Sequence, residues 1–562
     1  MANLQPPSAP GSRNPPDPNR HAPRDYAAAV HRHSLRSKEH HLFTGTNYRS
    51  LALFLRNKNS RASAGAGQAP GLSREHDILI IHDLTPAGRR ITRFNSLTGL
   101  QDFHNHPLPA DHCGQLVFLR GLPSPEWVNA IGARYRVDPE LFWQHLPLTS
   151  GHATFDLPAL ASAACNIAKL TVTSIGHRTV GHAQSVHGGS SVLEPTRMSG
   201  SVLGPVGQSI VRKVSIHDEQ NFSIEQDVHI SIIKRGEGWL ALILIDSGRD
   251  LDEGWVGAWD SSLHQCSRVE EIFSPVIMKE PRVCFQGADE GENPPVTAQR
   301  RPFSQSTSLL SGEQYGYYLH APTMRVDAFY ALHDVFAFVA SAENQFLNML
   351  NAKYLSNTRR YSTISQLEKE LTNLRYHNMI VRDHASQLQR TIDCIQNRWD
   401  PHWIRPKRPR PPNRQSPPAG PEQGPEHLLA AHESEVQRTE AAASMLLRDF
   451  HGLLRKAQEL SQRYNERIDE IRTSNMLAES RKATEQARSV TRLSLLAFLF
   501  LPLSFTTSFF GMNFRELGPD LSLWIWAVTS VPVFVFALLC CFWADVVKGI
   551  SLFGRRGRKQ SR

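Results

Sequence analysis

Gly511, Met512 and Asn513 occupy the short polar gap between the two membrane-length apolar runs of this 562-residue chain. Their types suit a small, hard, hydrated cation. An asparagine carbonyl is a neutral oxygen that can hold the ion's water shell without stripping it and without binding it too tightly to leave. Gly511 lets the backbone turn and approach closely, whereas Met512 packs in preference to ligating, because a thioether is soft. Glu516 and Asp520 follow in the same gap. Their potential would concentrate cations at such an entrance, and Arg515 beside them weakens that field. On the other side of the gap Ser504 and Ser508 lie about one helical turn apart, offering hydroxyls to a common face.

The elements that must position these residues are two uncharged runs. The first extends from about Leu493 to Phe510 and the second from about Leu521 to Trp543, with Trp524, Trp526 and Trp543 near the ends of the second. Roughly eighteen apolar residues suffice for a spanning helix, and tryptophans suit the membrane interface. The intervening GMNFRELGPD is too short for a domain, so the pair predicts a hairpin. Arg481, Lys482, Arg488 and Arg492 precede it, and Lys548, Arg555, Arg556, Arg558 and Lys559 follow it. By the positive-inside rule both termini face the cytosol or matrix. A hairpin alone serves equally well as an anchor.

A longer string adds specificity: Phe500-Leu501-Pro502-Leu503-Ser504-Phe505-Thr506-Thr507, then Phe509-Phe510-Gly511-Met512-Asn513-Phe514. It resembles the CorA-like magnesium transporters, whose first membrane helix carries a Pro-Leu-Ser/Thr-Phe element and ends in Gly-Met-Asn. The whole is most similar to fungal CorA-like proteins, and VDPELFWQHL around Asp138 to Leu146 resembles their cytosolic domain. The resemblance implies that Gly511 to Asn513 form the selectivity motif, with Asn513 meeting the metal through its hydration shell. It places Ser504 at the polar pore position, and Leu501, Leu493 and Val490 at apolar constrictions, which gate by dewetting. It also implies a homo-oligomer, a pentamer, that passes Mg2+ as cargo and needs no cofactor. Arg515 departs from the more acidic loop of the family.

Composition agrees with a mostly water-facing protein: charged residues make up 20% and the mean hydropathy is -0.36. The net charge of +9 is dispersed or flanks the apolar runs. That pattern fits membrane topology and contact with anionic lipid and not nucleic-acid binding. Cys113, Cys165, Cys266, Cys284 and Cys394 are scattered, and Cys540-Cys541 fall in the second run, so neither a disulfide framework nor a zinc ribbon is indicated. His104, His106, His112 and Cys113 have ligand types, yet the Pro-Leu-Pro between them and the lack of a partner cluster read as a polar loop. The proline-rich N-terminal stretch has neither a secretory core nor an Arg-rich amphipathic segment, which favours plasma membrane or vacuole over mitochondrion.

Along the chain, residues 1 to about 25 and Arg61 to Glu75 are Pro, Gly and Ala rich, and 1–75 is expected to be a mostly disordered region. Residues 76–325 predict an α+β domain with loop insertions. Asp77 to Leu84 and Gln115 to Leu122 read as strands, and Asn221 to Gly248 as a hairpin turning at Arg235-Gly236-Glu237-Gly238. Ser124-Pro125 and Asp138-Pro139 each supply an N-cap and a first-turn proline. Gly176 to Gly207, rich in Gly, Ser and His, reads as a loop. Helices fill 326–400, a proline-rich linker 401–426, a stalk helix 427–492, the first membrane helix 493–510, the Gly-Met-Asn loop 511–520, the second membrane helix 521–543 and a basic tail 544–562.

The stalk carries Phe450, Leu453, Leu454, Ala457, Leu460, Tyr464, Ile468 and Ile471 three or four apart, the spacing of a packing seam, with no proline before Pro502. The expected fold is thus an α+β cytosolic domain joined by a long stalk helix to a two-helix transmembrane hairpin. The expected function is a CorA-like divalent cation channel, Mg2+ first, that is not an enzyme. Two alternatives keep part of this picture: a zinc or other cation transporter of the same fold, and a non-conducting, membrane-tethered coiled-coil scaffold.

Overall fold

The computed structural model describes residues 23–57, 77–95, 98–148, 160, 166–178, 191–193, 206–218, 220–249, 271–278, 305–357, 364–399, 425–512, 524–536 and 538–539. Two compact units result, Met1–Glu466 and Arg467–Arg562. The first is α+β. Its strands are β1 (Asp77–Thr85), β2 (Gly88–Asn95), β3 (Gly114–Arg120), β4 (Ile167–Arg178), β5 (Ser191–Leu193), β6 (Lys213–Ile216), β7 (Asn221–Arg235), β8 (Gly238–Ile245) and β9 (Glu271–Phe273). They form one sheet in the order β2-β1-β3-β8-β7-β4-β9, with β6 on β7 and β5 on β6. Only β3 and β8 pair in parallel, Gly114 against Trp239 through Arg120 against Ile245; every other described pairing is antiparallel.

That central pair reads as near-continuous apolar sequence because both of its faces are covered. On one face Leu79, Ile81, Val117, Leu119, Leu240, Leu242 and Leu244 share a core with four helices: α1 (Pro23–Ser34), α2 (Arg49–Arg56), α4 (Pro125–Tyr135) and α5 (Pro139–His145). The short α3 (Gly99–Asn105) adds Phe103. On the other face Phe118 meets Tyr315 edge-on at 5.2 Å, and the Trp239 indole N–H donates to the Arg325 carbonyl at 2.9 Å. Arg325 belongs to α6 (Ala321–Val326), followed by α7 (Ala328–Ala331), α8 (His333–Asn357) and α9 (Ile364–Gln396).

Local chemistry sets the element ends. The Ser124 hydroxyl accepts from the Trp127 N–H at 3.4 Å, and the Asp138 carboxylate accepts from the Glu140 N–H at 3.0 Å, each beside a first-turn proline. Between β7 and β8, Gly236 takes φ +55, the left-handed value that the tight turn requires. His104 caps its own helix through Leu100, while His106 lies 3.1 Å from an Asp83 carboxylate oxygen, so these two histidines are used inside the domain. The span from Gly176 to Gly207 differs from the loop expectation: β4 continues to Arg178 and Ser191–Leu193 pairs with β6, because β7 is long enough to template both. The remainder of that span, and the linker at 401–424, lie outside the described residues.

The helix α10 (Pro425–Gly511) begins in this unit. Phe450, Leu453, Ala457, Leu460 and Tyr464 are buried along its seam, and Leu454 is half-buried. Polar contacts fix the register: the Tyr464 hydroxyl donates to the Leu350 carbonyl of α8 at 3.1 Å, and the Asn378 amide of α9 donates to the Asn465 side chain at 2.8 Å. In the second unit Ile468 and Ile471 are buried and Asn475 is half-buried, after which every described side chain of α10 through Leu501 is exposed. A further apolar helix, α11, spans Trp524–Phe536.

Candidate pore helix

The C-terminal part of α10 carries the candidate site. At about 100° per residue, Val490, Leu493, Leu501, Ser504 and Ser508 fall within an arc of about 80°. All five are exposed; the three apolar ones are 62%, 67% and 70% accessible, in chain order. A stripe of this kind in a single chain has nothing to exclude water from it.

The other side of the same segment is covered. Thr506 is buried and Pro502, Leu503 and Phe510 are half-buried, and these four cluster about a direction roughly opposite the stripe. On α11 the covered residues are Trp526, Ala527, Ser530 and Phe534, again one stripe with a four-residue repeat, with Ser530 the most buried. Small residues at that spacing allow close backbone approach in apolar surroundings. The sequence assigned no role to Thr506, Ala527 or Ser530; burial alone sets them apart.

Hydroxyl bonding separates the faces further. Thr506 and Thr507 both donate to the Leu503 carbonyl, at 3.0 and 2.7 Å. Pro502 has no N–H to give the preceding turn, and the helix nevertheless continues through it to Gly511. Ser504 and Ser508, in contrast, make no hydrogen bond among the described residues and project from the exposed stripe. A free hydroxyl there can meet a water of hydration.

Gly511 closes the helix and Met512 follows it, 58% exposed, with its N–H donated to the Phe509 carbonyl at 3.3 Å. Among the described residues, and apart from the helix's own backbone and its chain neighbours, nothing lies within 4 Å of the position a Gly511 Cβ would take. Asn513, Glu516 and Asp520 lie outside the described residues. No group of three metal-ligating side chains occurs among the described residues.

An 18-residue window in the Glu433–Gly511 helix has mean hydropathy 1.8 and is 6% buried, so a long apolar surface is left facing outward. By length and composition this helix can cross a membrane. Residues 426–544 match the model of the family described as CorA-like Mg2+ transporter protein. That family consists of transporters and not of enzymes, and the match supports a divalent cation as the substrate. It leaves the sheet-bearing residues 1–425 outside its bounds. No curated protein matches the chain.

Proposed function

We propose that the chain is the subunit of a homo-oligomeric channel for divalent cations, with Mg2+ as the physiological cargo. The observation that carries this reading is the division of α10 into an open stripe, Val490 to Ser508, and an opposite covered side centred on Thr506. The covered stripes of α10 and α11 cover one another as a two-pass hairpin, both termini cytosolic. The open stripes of several copies then line a shared path, closed by Leu501, Leu493 and Val490 and wetted at Ser504.

Gly511, Met512 and Asn513 stand at the entrance. Asn513 contributes a neutral oxygen to the hydrated ion, which avoids the cost of dehydrating Mg2+. Glu516 and Asp520 raise the local cation concentration at the mouth. The membrane potential drives entry, at about 4 to 5 kcal/mol per 100 mV for a doubly charged ion.

The test is flux of Mg2+ and of Zn2+ into vesicles holding the purified full chain. Mg2+ entry that collapses in Asn513→Ala, with oligomer size unchanged, supports the assignment. Entry of Zn2+ alone favours the zinc-transporting alternative, and no divalent entry from the parent protein favours the scaffold.

A further inference from the structure

From Met476 to the apolar run the described side chains of α10 are all exposed, so their distribution around the helix is not dictated by packing within the chain. It is uneven. Taking Val490 as the reference direction, Arg481, Arg488 and Arg492 fall within an arc of about 40° centred on the opposite side. The Val490 side of the same stretch presents Met476, Glu479, Ala483 and Gln486, with no arginine or lysine; Arg472, lower on that side, is paired with Asp469. Lys482 sits at its flank and Glu485 shares the arginine side.

The three arginines make no ion pair among the described residues, although Glu485 stands four residues after Arg481 and three before Arg488. Pairs at such spacing do form lower in the same helix, where Arg467 reaches Glu470 at 3.0 Å and Arg472 reaches Asp469 at 3.4 Å. The guanidinium groups of the upper set are left with all their donors available. Arg492 directly precedes the apolar run, Arg488 lies about 6 Å below it along the axis, and Arg481 about 16 Å below it. The upper two therefore reach the headgroup layer, and the third lies within about two Debye lengths of the surface at physiological salt.

We propose that Arg492, Arg488 and Arg481 form a stripe that binds anionic phospholipid headgroups of the cytosolic leaflet, on the side of α10 away from the ion path. The chemistry is complementary. A guanidinium offers a planar fork of donors that fits two phosphate oxygens, and a row of them at the membrane boundary engages headgroups without entering the hydrocarbon. Over the turns from Met476 to Val490 the same placement keeps arginine and lysine off the side that would carry a cation, where fixed positive charge would raise the barrier to entry. The orientation of the stripe rests on the pore-facing reading of Val490 to Ser508; the lipid contact itself does not.

The experiment places the full chain in vesicles of phosphatidylcholine with a minor fraction of phosphatidylserine. The probe is spin-labelled phosphatidylserine or phosphatidylcholine, and the readout is the motionally restricted fraction of each. The parent protein should favour phosphatidylserine by about threefold or more, a preference that shrinks at high salt. The triple variant Arg481→Gln, Arg488→Gln, Arg492→Gln should lose it, the triple Lys variant should keep most of it, and Arg472→Gln, on the opposite side, should leave it unchanged. An undiminished preference in the triple Gln variant overturns the proposal, as does an equal loss in Arg472→Gln. Mg2+ flux in the same vesicles keeps the two readings apart. Flux without lipid preference overturns the headgroup contact and leaves the channel standing, whereas preference without flux supports the contact and removes the channel.

Discussion

His384 of α9 holds its Nδ1 at 3.0 Å from both carboxylate oxygens of Glu343 on α8, and both side chains are buried. Its Nε2 faces Glu225 of β7 at 3.7 Å, so one imidazole ties two helices to the sheet. Burial by itself would push the His384 pKa down; the Glu343 carboxylate, then Glu225, override it and lift the value to about 10 from 6.5. The folded chain therefore holds this proton more tightly than the unfolded chain. The resulting stability is fully present below about pH 6.5, declines as the pH rises, and is gone once pH passes about 10. Protection of the β7 and α9 amides of the full chain, taken relative to their intrinsic base-catalysed exchange rates, should fall between pH 7 and pH 10, and His384→Gln should flatten that dependence. Removing the imidazolium leaves the buried Glu343 without its hydrogen-bonded cation, so the variant should lose about 3 to 5 kcal/mol of stability.

A second measurement addresses assembly. With Cys540 and Cys541 replaced, Ser504→Cys should form disulfides between copies under mild oxidation, because the exposed stripe would bring equivalent positions together around a common axis. Thr506→Cys, on the covered side, should remain monomeric on a denaturing gel. Cross-linking at position 506 and not at 504 would reverse the assignment of the two faces.

The sheet was legible where its strands are short apolar runs between turn residues, as in β1, β3 and the β7–β8 hairpin, and the capped helices α4 and α5 were legible from Ser124-Pro125 and Asp138-Pro139. The edge strand β2, GRRITRFN, was not. It is mostly part-exposed, carries three arginines, and is held as a strand by pairing with β1 that no local pattern announces. The long β4 escaped for a related reason, since its IAKLTVTSIGHR owes its length to register with β7 from Ile167 against Ser231 to His177 against Asn221. At the candidate site the pore-side residues came from motif resemblance, whereas the covered stripe of Thr506 and Ser530 became visible only from burial.

The apolar constriction predicts a polarity effect. Leu501→Asn places an amide in a ring that otherwise repels water, so the closed path should hydrate more readily and resting Mg2+ flux should rise. Ser504→Ala should instead lower flux severalfold by removing the unbonded hydroxyl, while Thr507→Ala, whose hydroxyl is already spent on the Leu503 carbonyl at 2.7 Å, should change it little. Equal losses in Ser504→Ala and Thr507→Ala would show that position 504 has no special role in the path.

Arg515 offers a test of the mouth potential, since it is the one cationic side chain among the loop residues between Gly511 and Asp520. Arg515→Glu changes the local charge by two units per copy, and in an oligomer those changes act together at the entrance. Entry of Mg2+ at low ionic strength should rise about twofold to tenfold, because a concentrated field of opposite sign raises the local cation concentration. The gain should fade as salt is raised, since screening at 0.1 M already limits the field to about 10 Å, and it should nearly vanish toward 1 M. Flux measured across that salt series separates a field effect from a structural one: a gain that persists at high salt would mean that the substitution reshaped the loop instead of recharging it.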